Sequence, residues 1–262
     1  MEAIEKSQLA SLFENKSRDL LSVYFTAGYP DLASTNQILE GLEAAGADIA
    51  EVGMPYSDPL ADGPVIQESG SKALSNGMNL RFLFEQLSQR ESSIPIILMG
   101  YLNPVLQFGM EDFLKQCQAC RVSALILPDL PLPVYERQYR SLFEKYGIGY
   151  IGLITPQSSE ERIRKIDKAS SGFIYAVSSA STTGSAKTLD DAVPYLDCLQ
   201  KMKLQNPVLT GFTIRDEKSF SLACSHSQGA IVGSAFIRHL SEKGSSKESI
   251  AAFVKHLKGS EK

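Results

Sequence analysis

The chain has 262 residues, 43% hydrophobic and 21% charged, with 12 Pro, 19 Gly, 4 Cys, 10 Tyr, 12 Phe and no Trp. That apolar content fills a core of domain size, which excludes a disordered, collagenous or disulfide-stapled chain. The net charge of −4 offers no basic field for nucleic acid.

In chain order, the charged start Met1-Glu2-Ala3-Ile4-Glu5-Lys6 lacks the basic-then-apolar order of a secretory leader. A helix is expected over 4–15, with Ile4, Leu9, Leu12 and Phe13 on its apolar side. Eight short apolar, β-rich runs follow: 20–26, 48–53, 94–100, 123–128, 149–154, 173–177, 207–211 and 230–233. Between them lie amphipathic segments. In 35–45, Ile38, Leu39, Leu42 and Ala45 share one helical face, and 80–87 repeats the pattern with Phe84 and Leu87. The segment 159–166 opens on Ser158 and Ser159 as candidate caps.

Eight strand–helix units in this length are the arithmetic of a (β/α)8 TIM barrel with an extra N-terminal helix, spanning 1–262 as a single domain. The strands are nearly continuous apolar runs, as when both faces of a parallel sheet are covered. An open doubly wound sheet is the second reading. Regular units without a long interruption favour closure. No apolar run is long enough to span a bilayer, since the longest, 94–102, contains Pro95.

In such a barrel the chemistry sits at the C-terminal ends of the strands. After the second run comes Glu51-Val52-Gly53-Met54-Pro55-Tyr56-Ser57-Asp58-Pro59-Leu60-Ala61-Asp62-Gly63-Pro64. Glu51 is a carboxylate inside an apolar strand. It is either paired with an interior cation or held as an acid–base group with a raised pKa. No run ends in Lys or Arg, which favours the second role. Asp58 and Asp62 lie in a Pro-rich turn, where Asp is common for local hydrogen-bonding reasons. The prolines would equally stiffen the loop around a second catalytic acid, Asp62.

The loop 178–186 is long and rich in small residues, as a lid would be. The seventh and eighth runs end on Gly211 and Gly233. These are either tight turns or a phosphate site made of backbone N–H groups and a helix N-terminus. Tyr24, Met99, Tyr101, Ile126, Tyr175 and Phe212, all near strand ends, are candidates for the apolar middle of the pocket. Cys117 and Cys120 have redox or zinc spacing but fall late in a helical pattern, and His226, His239 and His256 lie at no ligand spacing. The cysteines therefore read as structural thiols in a reduced, cytoplasmic protein.

The segment from Glu51 to Pro64 closely resembles the signature of the tryptophan synthase alpha subunit family. The likeness extends along the chain: Phe25-Thr26-Ala27-Gly28-Tyr29-Pro30, Met99-Gly100-Tyr101-Leu102-Asn103-Pro104, Pro128-Asp129-Leu130-Pro131, then Thr183-Gly184, Gly211-Phe212 and Gly233-Ser234. The resemblance implies a carbon–carbon lyase that cleaves indole-3-glycerol phosphate to indole and glyceraldehyde 3-phosphate by a retro-aldol step. Glu51 would be the general acid/base at C3 of the indole and at the glycerol hydroxyl. Asp62 would take or stabilise the indole N–H as the indolenine-like tautomer forms, and Tyr175 would assist.

By the same resemblance, Tyr24, Tyr101, Thr183, Gly184, Gly211, Phe212, Thr213, Gly233 and Ser234 would bind the substrate and its phosphate. No metal or organic cofactor is implied in this chain. Pyridoxal phosphate (PLP) would belong to a beta subunit, which would receive indole within an alpha2-beta2 heterotetramer. Asp58, Pro59, Asn103 and Pro131 match the partner-facing loops. Three positions depart from the family pattern: Ser179 and Ser181, where many members carry Arg and Gly, and Thr213, where many carry Gly. Other phosphate-binding barrel enzymes commonly need a Lys, Cys or metal-ligand set at the strand ends, which is not found. A non-catalytic activating subunit would not need Glu51 and Asp62.

Overall fold

The computed structural model describes residues 8–177, 189–211 and 214–259, with the side chains of 189 and 190 left aside. Its strands are β1 (Leu20–Thr26), β2 (Ile49–Gly53), β3 (Ile96–Met99), β4 (Val122–Ile126), β5 (Gly149–Tyr150), β6 (Leu153–Ile154), β7 (Ile174–Val177), β8 (Val208–Gly211) and β9 (Gly229–Val232). All described pairings are parallel, in the order β5-β4-β3-β2-β1-β9-β8-β7-β6. The two ends of that order, β5 and β6, are pieces of the single run 149–154. One pairs with β4 and the other with β7, so the run closes the sheet on itself.

The expected fifth strand is thus two short pieces rather than one. The hydrogen bonds explain the break. The Tyr150 N–H donates to Ser171 Oγ and the Gly152 N–H to Ser170 Oγ, so both leave the strand ladder. The other seven runs appear as single strands within one or two residues of their expected bounds. The helix at Glu160–Ala169 is capped by Ser159, whose Oγ accepts from the Arg162 N–H, whereas Ser158 Oγ accepts from the Thr155 N–H.

Strand parity divides the apolar residues into two cores. Leu21, Val23 and Phe25 of β1 face the surrounding helices. Leu20, Ile49, Ile97, Ala124, Ile126, Ile151, Phe173, Tyr175, Leu209 and Ile231 fill the barrel interior. The described part of the N-terminal helix, Gln8–Asn15, lays Leu9, Leu12 and Phe13 against that interior core. The interior is therefore plugged at its N-terminal end, and its C-terminal end is where a ligand would enter. No helix among the described residues is long and apolar enough to cross a membrane.

Candidate active site

Glu51 sits at the centre of β2 with the parity that points into the barrel, opposite Tyr24 in the register with β1. It is fully buried, and desolvation raises its carboxyl to about 7. The opposing influence is a hydrogen bond from Ser22: its hydroxyl donates to Glu51 Oε1 at 2.7 Å. Glu51 Oε2 is buried with no partner among the described residues. An interior cation, the alternative left open by the sequence, is not among the groups that act on Glu51. A buried carboxyl with one anchored oxygen and one unpaired oxygen, titrating near neutrality, is equipped to give and take protons.

Asp62 lies on the loop that links β2 to the helix Pro64–Ser75. This loop is held by short contacts rather than by prolines alone. The Ala61 N–H donates to the Tyr101 hydroxyl at 2.9 Å, and the Asp62 N–H donates to the Pro59 carbonyl at 3.1 Å. Gln67 Nε2 donates to the Asp62 carbonyl at 2.8 Å. Burial raises the Asp62 carboxyl to about 6, opposed by a hydrogen bond from Tyr101. Tyr101 thus accepts from the backbone beside Asp62 with its oxygen and donates its proton to the carboxylate.

Tyr175 extends from β7 into the interior core and is buried. Its hydroxyl is pushed up by burial and by the nearby charges of Glu51 and Asp62, as is that of Tyr24 by burial and Asp62, so both stay neutral. The fold therefore gathers Glu51, Asp62, Tyr24, Tyr101 and Tyr175, five groups separated by up to 151 positions in sequence, around one barrel mouth.

Gly211 ends β8 on the inner face. A Cβ there would overlap the ring and hydroxyl of Tyr175, so this glycine makes room for a tyrosine. Gly233 follows β9, partnered to β8, and precedes the helix Ser234–Lys243. The first turn of that ten-residue helix opens at the barrel mouth, beside Tyr24. Thr183, Gly184, Phe212 and Thr213, together with Ser179 and Ser181, lie outside the described residues.

On the rim, Asp58, Asn103 and Pro131 are exposed and Pro59 is partly so. Asn103 Nδ2 donates to the Tyr56 hydroxyl at 3.1 Å, and the Leu102 N–H donates to both Asp129 carboxylate oxygens at 2.9 and 3.1 Å. These bonds tie the loops after β2, β3 and β4 together around a cleft of about 230 Å³, lined by Tyr56, Asp58, Leu60, Ala61, Tyr101, Pro128 and Asp129. Leu60 beside it is 82% exposed and Leu106 on the adjacent helix Leu102–Phe108 is 45% exposed.

Sequence reasoning missed Ser22. The signal was present, since Ser22 is a hydroxyl in the apolar run Leu-Leu-Ser-Val-Tyr-Phe-Thr, at the same strand parity as Tyr24. The four cysteines are free, with Cys117, Cys120 and Cys224 buried and Cys198 exposed. Burial pushes the three buried thiols up, away from thiolate reactivity. Among the described residues no group of three or more His, Cys, Asp or Glu side chains is placed to share a metal ion.

A family model described as tryptophan synthase alpha chain matches residues 10–262. The tryptophan synthase alpha chain of Christiangramia forsetii is 52% identical over 242 residues, covering 91% of this chain and 94% of that protein. That of Flavobacterium psychrophilum is 49% identical over 245 residues, covering 92% and 96%. Among solved structures, Mycobacterium tuberculosis tryptophan synthase matches with a TM-score of 0.86 at 31% identity, covering 97% of this chain and 98% of that one. A mutant tryptophan synthase alpha-subunit from Pyrococcus furiosus matches with a TM-score of 0.81 at 35% identity, covering 92% and 98%. Likeness of this degree, over nearly the whole of both chains and on the same barrel, makes this chain a member of the tryptophan synthase alpha chain family.

Proposed function

We propose that Glu51, Asp62 and Tyr175 carry the alpha reaction of tryptophan synthesis in this chain. That reaction is a lyase step, the cleavage of indole-3-glycerol phosphate to indole and glyceraldehyde 3-phosphate, and it needs no cofactor. The bond between C3 of the indole and the glycerol side chain breaks. A proton is delivered to C3, and the hydroxyl on the departing carbon loses its proton as the aldehyde forms. One group near pKa 7 can do both, and the buried, unpaired Oε2 of Glu51 is the observation that carries this assignment. Protonation at C3 leaves positive charge on the ring nitrogen, and a carboxylate at the position of Asp62 stabilises it. Two carboxyls in different environments thereby divide the work, Glu51 moving the protons and Asp62 stabilising the charge. Tyr175, neutral beside Glu51, donates a hydrogen bond within the site.

The phosphate is bound at the N-terminus of the helix Ser234–Lys243, with Gly233 and Ser234 supplying backbone N–H groups and Gly211 on the neighbouring strand. Thr183, Gly184, Phe212 and Thr213 complete that site. Tyr24 and Tyr101 line the indole pocket, which in a chain without Trp is built from Tyr and aliphatic side chains. The rim bearing Asp58, Pro59, Asn103 and Pro131, with exposed Leu60 and Leu106, meets a PLP-dependent beta subunit in an alpha2-beta2 heterotetramer. The four unpaired cysteines fit a reducing, cytoplasmic setting.

Indole release from indole-3-glycerol phosphate tests this reading. Wild type is expected to turn over slowly alone and faster with a beta subunit. Asp62→Asn is expected to lose at least about a hundredfold in kcat. Wild-type turnover in that variant would remove Asp62 from the mechanism, and turnover indifferent to any beta subunit would remove the partnership.

A further inference from the structure

We infer that Ser22 is a positioning residue for the alpha reaction: its hydroxyl anchors one oxygen of Glu51 at the barrel floor and leaves the other free for substrate. The inference rests on the assignment of Glu51 as the acid–base group. Three observations carry it. Ser22 and Glu51 are both fully buried, so no bulk water competes for either group. The contact is short, 2.7 Å, and Ser22 Oγ donates it. The two carboxylate oxygens are also unequal, since Oε1 is held by Ser22 and Oε2 has no partner among the described residues.

The register accounts for the pair. On β1 the inward parity runs Leu20, Ser22, Tyr24, and on β2 it runs Ile49, Glu51, Gly53. Leu20 and Ile49 form the apolar floor, and Tyr24 stands at the mouth across from Glu51. Ser22 therefore meets the carboxylate from the floor side and out of reach of a ligand entering at the mouth. An alkyl residue at this point would leave Glu51 with two unpaired oxygens and free rotation about its last torsion.

A hydroxyl that donates to a carboxylate stabilises the charged form. Ser22 thus works against the burial that raises Glu51, and it is the partner that brings the group back to about 7. The titratable groups that face Glu51 are Tyr24 on β1 and Tyr175 on β7, both kept neutral by burial and by the charges of Glu51 and Asp62, and no charged group is among the influences on Glu51 itself. From β3 it is faced by Ile97, which carries no charge. Among the described residues Ser22 is the one side chain that donates a hydrogen bond to Glu51, so its removal leaves the carboxylate without a donor there.

The test uses the full-length chain with indole-3-glycerol phosphate, reading kcat and KM for indole formation across pH 5–9. Three variants are compared: Ser22→Ala, and the isosteric pair Ser22→Thr and Ser22→Val, which differ only in hydroxyl against methyl. In Ser22→Ala and Ser22→Val, the limb of the kcat profile that depends on Glu51 is expected to move up by about one pH unit, with KM changed by less than about twofold. Ser22→Thr is expected to keep the wild-type profile. A wild-type profile in Ser22→Val, or equal displacement in Ser22→Thr and Ser22→Val, would overturn the role of the hydroxyl. Glu51→Gln separates the two readings. If it is inactive while Ser22→Val titrates as wild type, Glu51 stands and Ser22 falls. If it turns over normally, Glu51 is not the acid–base group and Ser22 falls with it.

Discussion

Replacing Glu51 by Gln should make the protein less active and, above neutral pH, more stable. The carboxyl ordinarily titrates at 4.5 and is raised to about 7 in the folded chain, so the folded state holds its proton more tightly than the unfolded state. Below pH 4.5 both states are protonated and Glu51 imposes no electrostatic penalty. As pH rises from 4.5 to 7 the unfolded chain ionises first, and stability falls along the way. Above 7 the full difference is present. The difference, 7 less 4.5, is 2.5 pH units, which at 1.36 kcal/mol each is ~3 kcal/mol at most.

Gln keeps an oxygen for Ser22 and removes the charge. It places an amide where Oε2 has no partner, which returns about 1 kcal/mol. The net gain above pH 7 is about 2 kcal/mol, or roughly 4–8 °C in Tm for a domain of this size. Thermal unfolding of wild type and Glu51→Gln at pH 4.5 and pH 8.5 reads this directly. At the lower pH, where the charge penalty is nearly gone and the amide cost remains, the variant should melt at or slightly below wild type, and at the higher pH it should melt above it. A variant that is equally or less stable than wild type at pH 8.5 would refute the claim that Glu51 is an unpaired buried acid. Indole formation measured on the same samples should fall by a factor of roughly 10²–10⁴.

Two further outcomes follow from the mouth of the barrel. Ser234→Asp puts a carboxylate at the first turn of the helix Ser234–Lys243, where the helix dipole tolerates it, so Tm should hold while KM for the phosphorylated substrate rises by about tenfold or more. Steady-state kinetics check this, and an unchanged KM would move the phosphate elsewhere. Gly211→Ala adds a methyl that overlaps the Tyr175 ring and hydroxyl, and should destabilise the chain by about 1–3 kcal/mol in urea unfolding while displacing Tyr175 and lowering kcat. Wild-type stability and turnover together would show that Tyr175 has room to move and does not depend on that glycine.

Much of this is legible in the amino-acid sequence. Apolar runs at regular intervals located the strands, seven of eight as single strands, because a strand covered on both faces must be apolar throughout. Glu51 stood out because an ionised side chain in such a run needs either a partner or a purpose. The loop signature from Glu51 to Pro64 marked the family. The break at 149–154 was not legible. It arises because hydroxyls from Ser170 and Ser171, about twenty positions away, take the N–H groups of Gly152 and Tyr150. Nor was it legible that a side chain at Gly211, whether a tight turn or part of a phosphate site, would overlap the ring and hydroxyl of Tyr175.

Local chemistry along the chain settled which segments are strands, which residue carries the anomalous charge and which family the chain joins. These depend on residue type and on spacing within a few positions. Tertiary structure decided which of the two Glu51 oxygens is held and which is open, that Tyr101 serves both the Ala61 N–H and the Asp62 carboxylate, and that Ser22 reaches the acid at all. Those facts hang on the register between strands. A shift of one residue between β1 and β2 would turn Ser22 toward the helices and leave Glu51 without its donor.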